Sequence, residues 1–268
     1  MNRSSAPLVS CLMVTRDRPR HAVMAARAFL RQTHPACELV VVDDGHVDYA
    51  PFLPAGTDHG VIRYHRLADG RARTLGEMRN LSLELAAGDW WIQWDDDEWY
   101  HPDRIATQLA AATRADATGS LLRWTLMHVD TPRYAGRPFR ADAGFATPGT
   151  ILHRRTDLRY PAASRGEDSS FLTDARRRGA LVVLGREQSH LFVRCFHGAN
   201  TWDERHFLRR LRRRPADWPS WVSGVVRGDL TGHRAFRLDP REQAAADALR
   251  TDLAALEALD ITATEVGR

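Results

Sequence analysis

The chain is short of cysteine, of long apolar runs and of net charge, and each shortage excludes something. Three cysteines among 268 residues, Cys11, Cys37 and Cys195, are an odd number at no metal-ligand spacing. Neither a disulfide framework nor a cysteine metal site is expected, and because Cys11 and Cys37 sit in apolar runs, buried reduced thiols are. No segment approaches the ~20 apolar residues of a membrane span. The start, Met1 to Pro7, leads into a strand-like run without the apolar core and cleavage site of a signal peptide, which predicts a cytoplasmic location. The net charge is only +4, carried by arginine as the basic residue. That excess suits an anionic substrate and says little for nucleic acid. What the chain does have is 43% hydrophobic residues, enough to fill one large α/β domain, or one domain with a small appendage.

The most informative feature is Asp95-Asp96-Asp97-Glu98, which follows the apolar stretch Trp90-Trp91-Ile92. Four adjacent carboxylates at a strand end repel one another and need a cation or a hydrogen-bond network. A divalent metal is the obvious compensator, since Mg²⁺ and Mn²⁺ take oxygen ligands and are often held by one or two carboxylates plus substrate phosphates. In extended backbone Asp95 and Asp97 share one face and Asp96 and Glu98 the other. The alternative is a solvated acidic turn.

Strand and helix patterns alternate through the first half. Leu8–Val14 reads as a buried strand, and a helix follows with Val23, Ala26, Phe29 and Leu30 on one face. Glu38–Val42 is a second strand, ending in Asp43-Asp44-Gly45. This βαβ order implies a parallel sheet, in which ligands bind beyond the carboxyl ends of the strands, where Thr15, Asp43 and Asp44 lie. A third strand spans Val61–His65, and a helix from about Leu75 to Ala87 is closed by Gly88 as its C-cap. Further on, a strand over Thr147–His153 and a polar loop precede Gly166-Glu167-Asp168, which opens a helix closed by Gly179. The run Leu191–Phe196 ends at His197.

The order of these signals resembles glycosyltransferase family 2, built on the nucleotide-sugar-binding GT-A fold. The resemblance is carried by Pro7 through Thr15 with Arg18-Pro19, Gln32-Thr33-His34-Pro35 with Glu38 through Gly45, Gly76-Glu77-Met78-Arg79-Asn80 with Ala86 to Asp89, the acidic run at the place of a DxD signature, and His101-Pro102-Asp103. It thins through Gly166-Glu167-Asp168 and His197 to Trp202. It implies an α/β fold with a Rossmann-like, mostly parallel central sheet flanked by helices. A GT-A domain over residues 1–205 is expected, with a nucleotide-sugar-binding half, 1–102, and an acceptor-binding half, 103–205. Residues 206–268 would be a helical extension.

By this resemblance Thr15, Arg18, Asp43, Asp44, Arg79, Asp95 and Asp96 bind the nucleotide sugar. Asp97 ligates Mn²⁺ or Mg²⁺, with Asp95 touching the ribose or the metal, and a register shift would offer Asp96 and Glu98 instead. Asp168 is the catalytic base of an inverting displacement and Glu167 its understudy. His197 adds a nitrogen ligand, and Trp99 and Trp202 offer faces for sugar stacking. Each residue also has a plainer reading: a turn for Asp43-Asp44-Gly45, a surface charge for Arg79, a helix cap for Asp168, a structural hydrogen bond for His197. The implied reaction moves a sugar from a nucleoside-diphosphate sugar, with UDP as carrier, to a small-molecule or glycan acceptor. A nucleotidyltransferase of similar fold, or a catalytically silent binding protein, is the alternative; the first lacks its glycine- and lysine-rich loop after Thr15.

The last quarter matches nothing. Arg209, Arg210, Arg212, Arg213 and Arg214 crowd a short helix-like piece, 206–214, that could meet anionic lipid, nucleic acid or substrate phosphate, or simply be solvated. Trp218 to Gly224 suggests a turn-rich connector. Leu249, Leu253, Leu256 and Leu259 form a helical stripe over 244–259 that would pack on the main domain or on a second copy as a homodimer, and the tail from Ile261 is expected to fray.

Overall fold

The computed structural model describes residues 6–56, 60–134, 136–198, 200 and 203–257. Thr201, Trp202, Leu259 and the tail from Ile261 lie outside the described residues. In chain order the elements are β1 (Val9–Thr15), α1 (Pro19–Leu30), β2 (Cys37–Asp43), β3 (Gly60–Arg66), α2 (Leu75–Leu85), β4 (Trp90–Gln93), β5 (Trp99–Tyr100), α3 (Arg104–Arg114), β6 (Gly119–Leu122), β7 (Trp124–Val129), β8 (Phe139–Asp142), β9 (Leu152–Arg154), α4 (Glu167–Arg178), β10 (Leu181–Leu184), β11 (Phe192–Phe196), α5 (Glu204–Leu208), α6 (Trp218–Arg227) and α7 (Pro240–Glu257).

Seven strands form the central sheet in the order β10-β6-β9-β4-β1-β2-β3. β1 pairs in parallel with β2 and β4, β2 with β3, and β6 with β10, while β9 is antiparallel to both β4 and β6. β1 and β2 are apolar almost throughout because helices cover both faces of such a sheet. One face packs Met13, Val41 and Ile92 against Ala22, Ala26 and Phe29 of α1. The other packs Val40, Val42 and Trp91 against Met78 and Leu83 of α2 and Phe171 of α4. A second sheet, β5-β11-β7-β8, carries α5 and α7. This is the mostly parallel, helix-flanked α/β architecture with carboxy-terminal helices that the motif order implies.

Several local expectations are corrected. β9 is only three residues, because Pro148–Thr150 is a 3-10 turn and not the start of a strand. α2 ends at Ala86 in extended backbone, so Gly88 is no cap. A Cβ on Gly88 would stand 2.7 Å from the Leu8 and Trp90 carbonyl oxygens, and glycine is needed there for close strand approach. The arginine-rich piece is α5 followed by a 3-10 turn over Arg209–Arg212. Trp218 to Gly224 is not a connector but the body of α6, with Pro219 in its first turn where a missing N–H is harmless. In α7, Leu249 is buried and Leu253 packs beside it against Trp99, Leu126 and Val193 of the same chain, so these two leucines rest on the second sheet. All three cysteines are free and buried. No described helix is long and apolar enough to cross a membrane.

Candidate active site

The acidic run leaves the carboxyl end of β4, beside β1, and bends into a turn at Asp96 and Asp97 instead of staying extended. The split between the two faces nonetheless survives: Asp95 and Asp97 are the more open side chains, at 24% and 16%, and Asp96 and Glu98 are closed off at 1% and 8%. Tyr100 fixes the turn by donating its hydroxyl to the Asp95 carbonyl at 2.8 Å. Beneath it the buried Arg104 guanidinium lies over Tyr100 at 4.7 Å, Phe192 at 5.0 Å and Trp94 at 5.4 Å, an attractive arrangement of cation and ring face.

Each of the four carboxylates has a hydrogen-bond or charge partner within the chain, so the hydrogen-bond network that such a run can take in place of a cation is present. Asp95 meets Arg79 Nη2 at 3.2 Å and accepts from Gln93 Nε2 at 3.0 Å. Asp96 accepts from Thr15 Oγ1 at 2.7 Å and pairs with Arg18 Nη2 at 2.8 Å. Asp97 accepts from Arg18 Nη1 at 2.9 Å and has His197 Nε2 and Asn200 Nδ2 each at 3.4 Å. Glu98 accepts from the Cys195 N–H at 2.6 Å and pairs with Arg194 Nε at 3.5 Å. Glu98 thereby ties the run to β11, the strand that delivers His197. Burial, then the neighbouring Asp97 charge, pushes the Asp96 carboxyl upward. Burial also opposes ionisation of Asp97, but His197 and the Arg18 charge outweigh it and hold its carboxyl below the usual range.

α2 connects this run to the other acidic motif. Thr74 caps the helix in a reciprocal box with Glu77. Gly76 lets the segment after β9 press on it, since a Cβ there would meet the Pro161 carbonyl oxygen at 1.8 Å. Asn80 clamps the backbone of Tyr160, donating from Nδ2 at 2.9 Å and accepting the Tyr160 N–H at 2.8 Å. Arg79 is buried, lies 5.5 Å over the Tyr160 ring, and bridges Asp95 and Glu167, the latter through Nε at 3.4 Å.

α4 starts from Gly166, which has φ +75° and occupies the cap position. Asp168 is therefore not the cap; it stands in the first turn and accepts from the Ser169 N–H at 2.6 Å. Among the described residues its Oδ2 has no donor. Glu167 is buried against Arg79, and burial raises its carboxyl above 4.5 although Arg79 opposes this.

A cavity of about 420 Å³ opens between these motifs. Asp95, Asp97, Glu167 and Asp168 line it together with Arg194, Arg209 and Arg210. Arg18, Arg79, Asp96 and Asn200 line it as well, whereas Thr15, Asp43, Asp44 and His197 do not. Thr15 is buried behind Asp96. Asp43 is fully buried and accepts from the Tyr64 hydroxyl at 2.7 Å and the Gly45 N–H at 2.8 Å; burial raises its carboxyl. Asp44 remains partly open, with Arg73 at 3.6 Å and Arg16 at 3.8 Å. Trp99 is buried, its Nε1 donating to Asp252 at 2.7 Å, so it offers no sugar-stacking face. Sequence reasoning missed Arg104, Arg194, Gln93 and the clamping role of Asn80, because a lone polar residue after an apolar run gives no sign of which partner it will meet.

Comparison with known proteins places this architecture among the GT-A glycosyltransferases. S. aureus TarS, solved with UDP, superposes with a TM-score of 0.57 at 15% identity over 91% of both chains. The mannosyltransferase PcManGT from Pyrobaculum calidifontis, solved with GDP-Man and Mn²⁺, superposes with a TM-score of 0.52 at 17% identity over 96% of this chain and 82% of that one. The model of glycosyl transferase family 2 matches residues 10–161, and the chain belongs to that family. Over 118 residues it is 32% identical to the succinoglycan biosynthesis protein ExoO of Rhizobium meliloti (strain 1021), covering 44% of this chain. Over 107 residues it is 29% identical to the putative colanic acid biosynthesis glycosyl transferase WcaA of Escherichia coli (strain K12), covering 39% of this chain. The matched stretches span about a third of these relatives, 32% and 37% of their lengths.

Proposed function

We propose that this protein is a metal-dependent, inverting glycosyltransferase that moves a sugar from a UDP-linked donor to an acceptor hydroxyl. The observation that carries the reading is one cavity lined both by Asp168, one oxygen of which has no donor among the described residues, and by the acidic turn of Asp95 to Asp97. UDP is favoured as carrier because TarS was solved with UDP and with UDP-GlcNAc.

Asp97 and His197 are the pair that would hold Mn²⁺ or Mg²⁺. No group of three acidic, histidine or cysteine side chains converges among the described residues. A carboxylate oxygen and an imidazole nitrogen 3.4 Å apart are the donor types such an ion would take from the chain. Bound there, such an ion would offset negative charge on the leaving diphosphate.

The chain's own residues supply the rest. Asp168 accepts the proton of the attacking hydroxyl through Oδ2, its other oxygen being fixed by the Ser169 N–H. Glu167, buried against Arg79, positions that guanidinium. Arg79 in turn holds Asp95 at the cavity wall, leaving Asp95 for the donor sugar or ribose. Arg18 orders Asp96 and Asp97. Asp44 is the partner for base or ribose, with Asp43 and Thr15 as buried supports. Displacement from the face opposite the diphosphate inverts the anomeric centre.

The test is a thermal-shift screen of UDP, UDP-GlcNAc and GDP-mannose with and without Mn²⁺, followed by donor turnover. A ligand at 100 times its Kd stabilises by about 2.7 kcal/mol. Asp168→Asn is expected to keep donor binding and lose roughly 10²- to 10⁴-fold in turnover. No stabilisation by any nucleotide sugar, or wild-type turnover in Asp168→Asn, refutes the reading.

A further inference from the structure

The arginines after α5 divide by environment. Arg214 lies over the Trp124 ring at 5.4 Å and Arg212 over Trp221 at 5.3 Å. Arg209 and Arg210 line the active-site cavity, and the same two, with Arg212 and Arg213, line an adjoining hollow of about 250 Å³ to which no other described residue contributes. Among the described residues no carboxylate comes within 4.0 Å of any of these four, in contrast to Arg18, Arg79, Arg140 and Arg194. Asp142, an acid close enough to act on Arg210, is already held by Arg123 through Nε at 2.9 Å and Nη2 at 3.0 Å. Arg210 Nε is buried with no hydrogen-bond partner. Gly144, at φ +87°, makes room for the Arg213 guanidinium, whose Nη2 would stand 2.2 Å from a Cβ there.

Converging guanidinium groups without counter-charge repel one another, and a buried donor without a partner is unfavourable. Both are relieved when an anion enters, and the planar guanidinium fork matches phosphate oxygens two at a time. The hollow is reached from the cavity through Arg209 and Arg210 and includes neither Asp97 nor Asp168. It therefore lies to the side of the reacting centre, where part of an acceptor would project. We propose that Arg209, Arg210 and Arg213 bind a phosphate or phosphodiester group carried by the acceptor, an assignment that rests on the glycosyl-transfer reading of the cavity.

Calorimetric titration of the full chain tests this, with glycerol 3-phosphate and neutral glycerol as probes, each in saturating UDP, and with UDP alone. Arg209→Gln and Arg213→Gln alter exposed side chains and spare the fold; Arg210→Lys keeps the charge but not the fork. Glycerol 3-phosphate is expected to bind at least tenfold more tightly than glycerol and to weaken with added salt. Each variant should lose tenfold or more of that affinity while UDP stays within twofold. Equal binding of the two probes overturns the proposal. So does a tenfold loss of UDP affinity with glycerol 3-phosphate unchanged, which would assign the arginines to the donor diphosphate. If wild type fails to bind UDP yet binds glycerol 3-phosphate through these arginines, the donor reading falls and the phosphate site stands.

Discussion

Replacing Arg79 by Met isolates what the bridge between the two acidic motifs contributes. Arg79 is 8% exposed and Glu167 3%, so methionine keeps most of the packing over Tyr160 while leaving Glu167 buried without its cation. Removing one partner of a buried pair usually destabilises by about 3–5 kcal/mol, because the remaining charge is stranded. Glu167 can escape by taking up a proton, and that escape sets a ceiling on its share of the loss, to which the more open Asp95 adds its own. Burial already raises its carboxyl above the ordinary 4.5, and loss of Arg79 raises it further. A carboxyl held neutral in the folded state forgoes the ionisation free to the unfolded chain. At pH 7 that is 1.36 kcal/mol for each of the 2.5 units above 4.5, or about 3.4 kcal/mol; at pH 5 it is below about 1 kcal/mol. A folded pKa raised above the unfolded one gives a deficit that grows with pH and fades as pH falls toward 4.5. Urea unfolding of wild type and Arg79→Met at both pH values measures it, and adding Glu167→Gln should recover most of the loss at pH 7. An equal deficit at both pH values, unrelieved in the double variant, would mean that Arg79 acts by packing alone.

Gly76→Ala pits helix propensity, a gain of about 1 kcal/mol, against a Cβ 1.8 Å from the Pro161 carbonyl oxygen. The clash is expected to win by about 1–3 kcal/mol, read as a lower urea midpoint; a stabilised variant refutes the contact. His21 sits 4.4 Å from the His197 ring, and burial followed by that neighbour pushes its imidazole down to about 4. It is expected to stay neutral at pH 6, and an NMR titration midpoint near 6.5 would contradict this. Excess chelator is expected to abolish donor turnover and Mn²⁺ to restore it; undiminished turnover removes Asp97 and His197 from the metal role.

Where pattern depends on near neighbours, the sequence is legible. The apolar runs of β1 and β2 and the face of α1 follow from periodicities of two and 3.6. They carry enough order to identify the family and the mostly parallel sheet. The same reasoning fails over residues 147–153 and 218–224, where short segments hold too few residues for a period to declare itself, and tertiary packing chose a 3-10 turn and a helix.

The candidate site divides along the same line. That residues 95–98 are a charged run after a strand, and that Asp168 stands at the start of a helix, is local and legible; that the run bends into a turn is not. Which groups answer the charge is not legible either: Arg18 reaches Asp97 from 79 residues away, and Arg79 spans from Asp95 to Glu167. Nor did a row of arginines disclose that two rest on tryptophan rings while others stand unpaired at a cavity edge. Short-range sterics and hydrogen bonding write secondary structure into neighbouring residues, whereas electrostatic pairing depends on through-space distance, and only the folded chain brings those charges together.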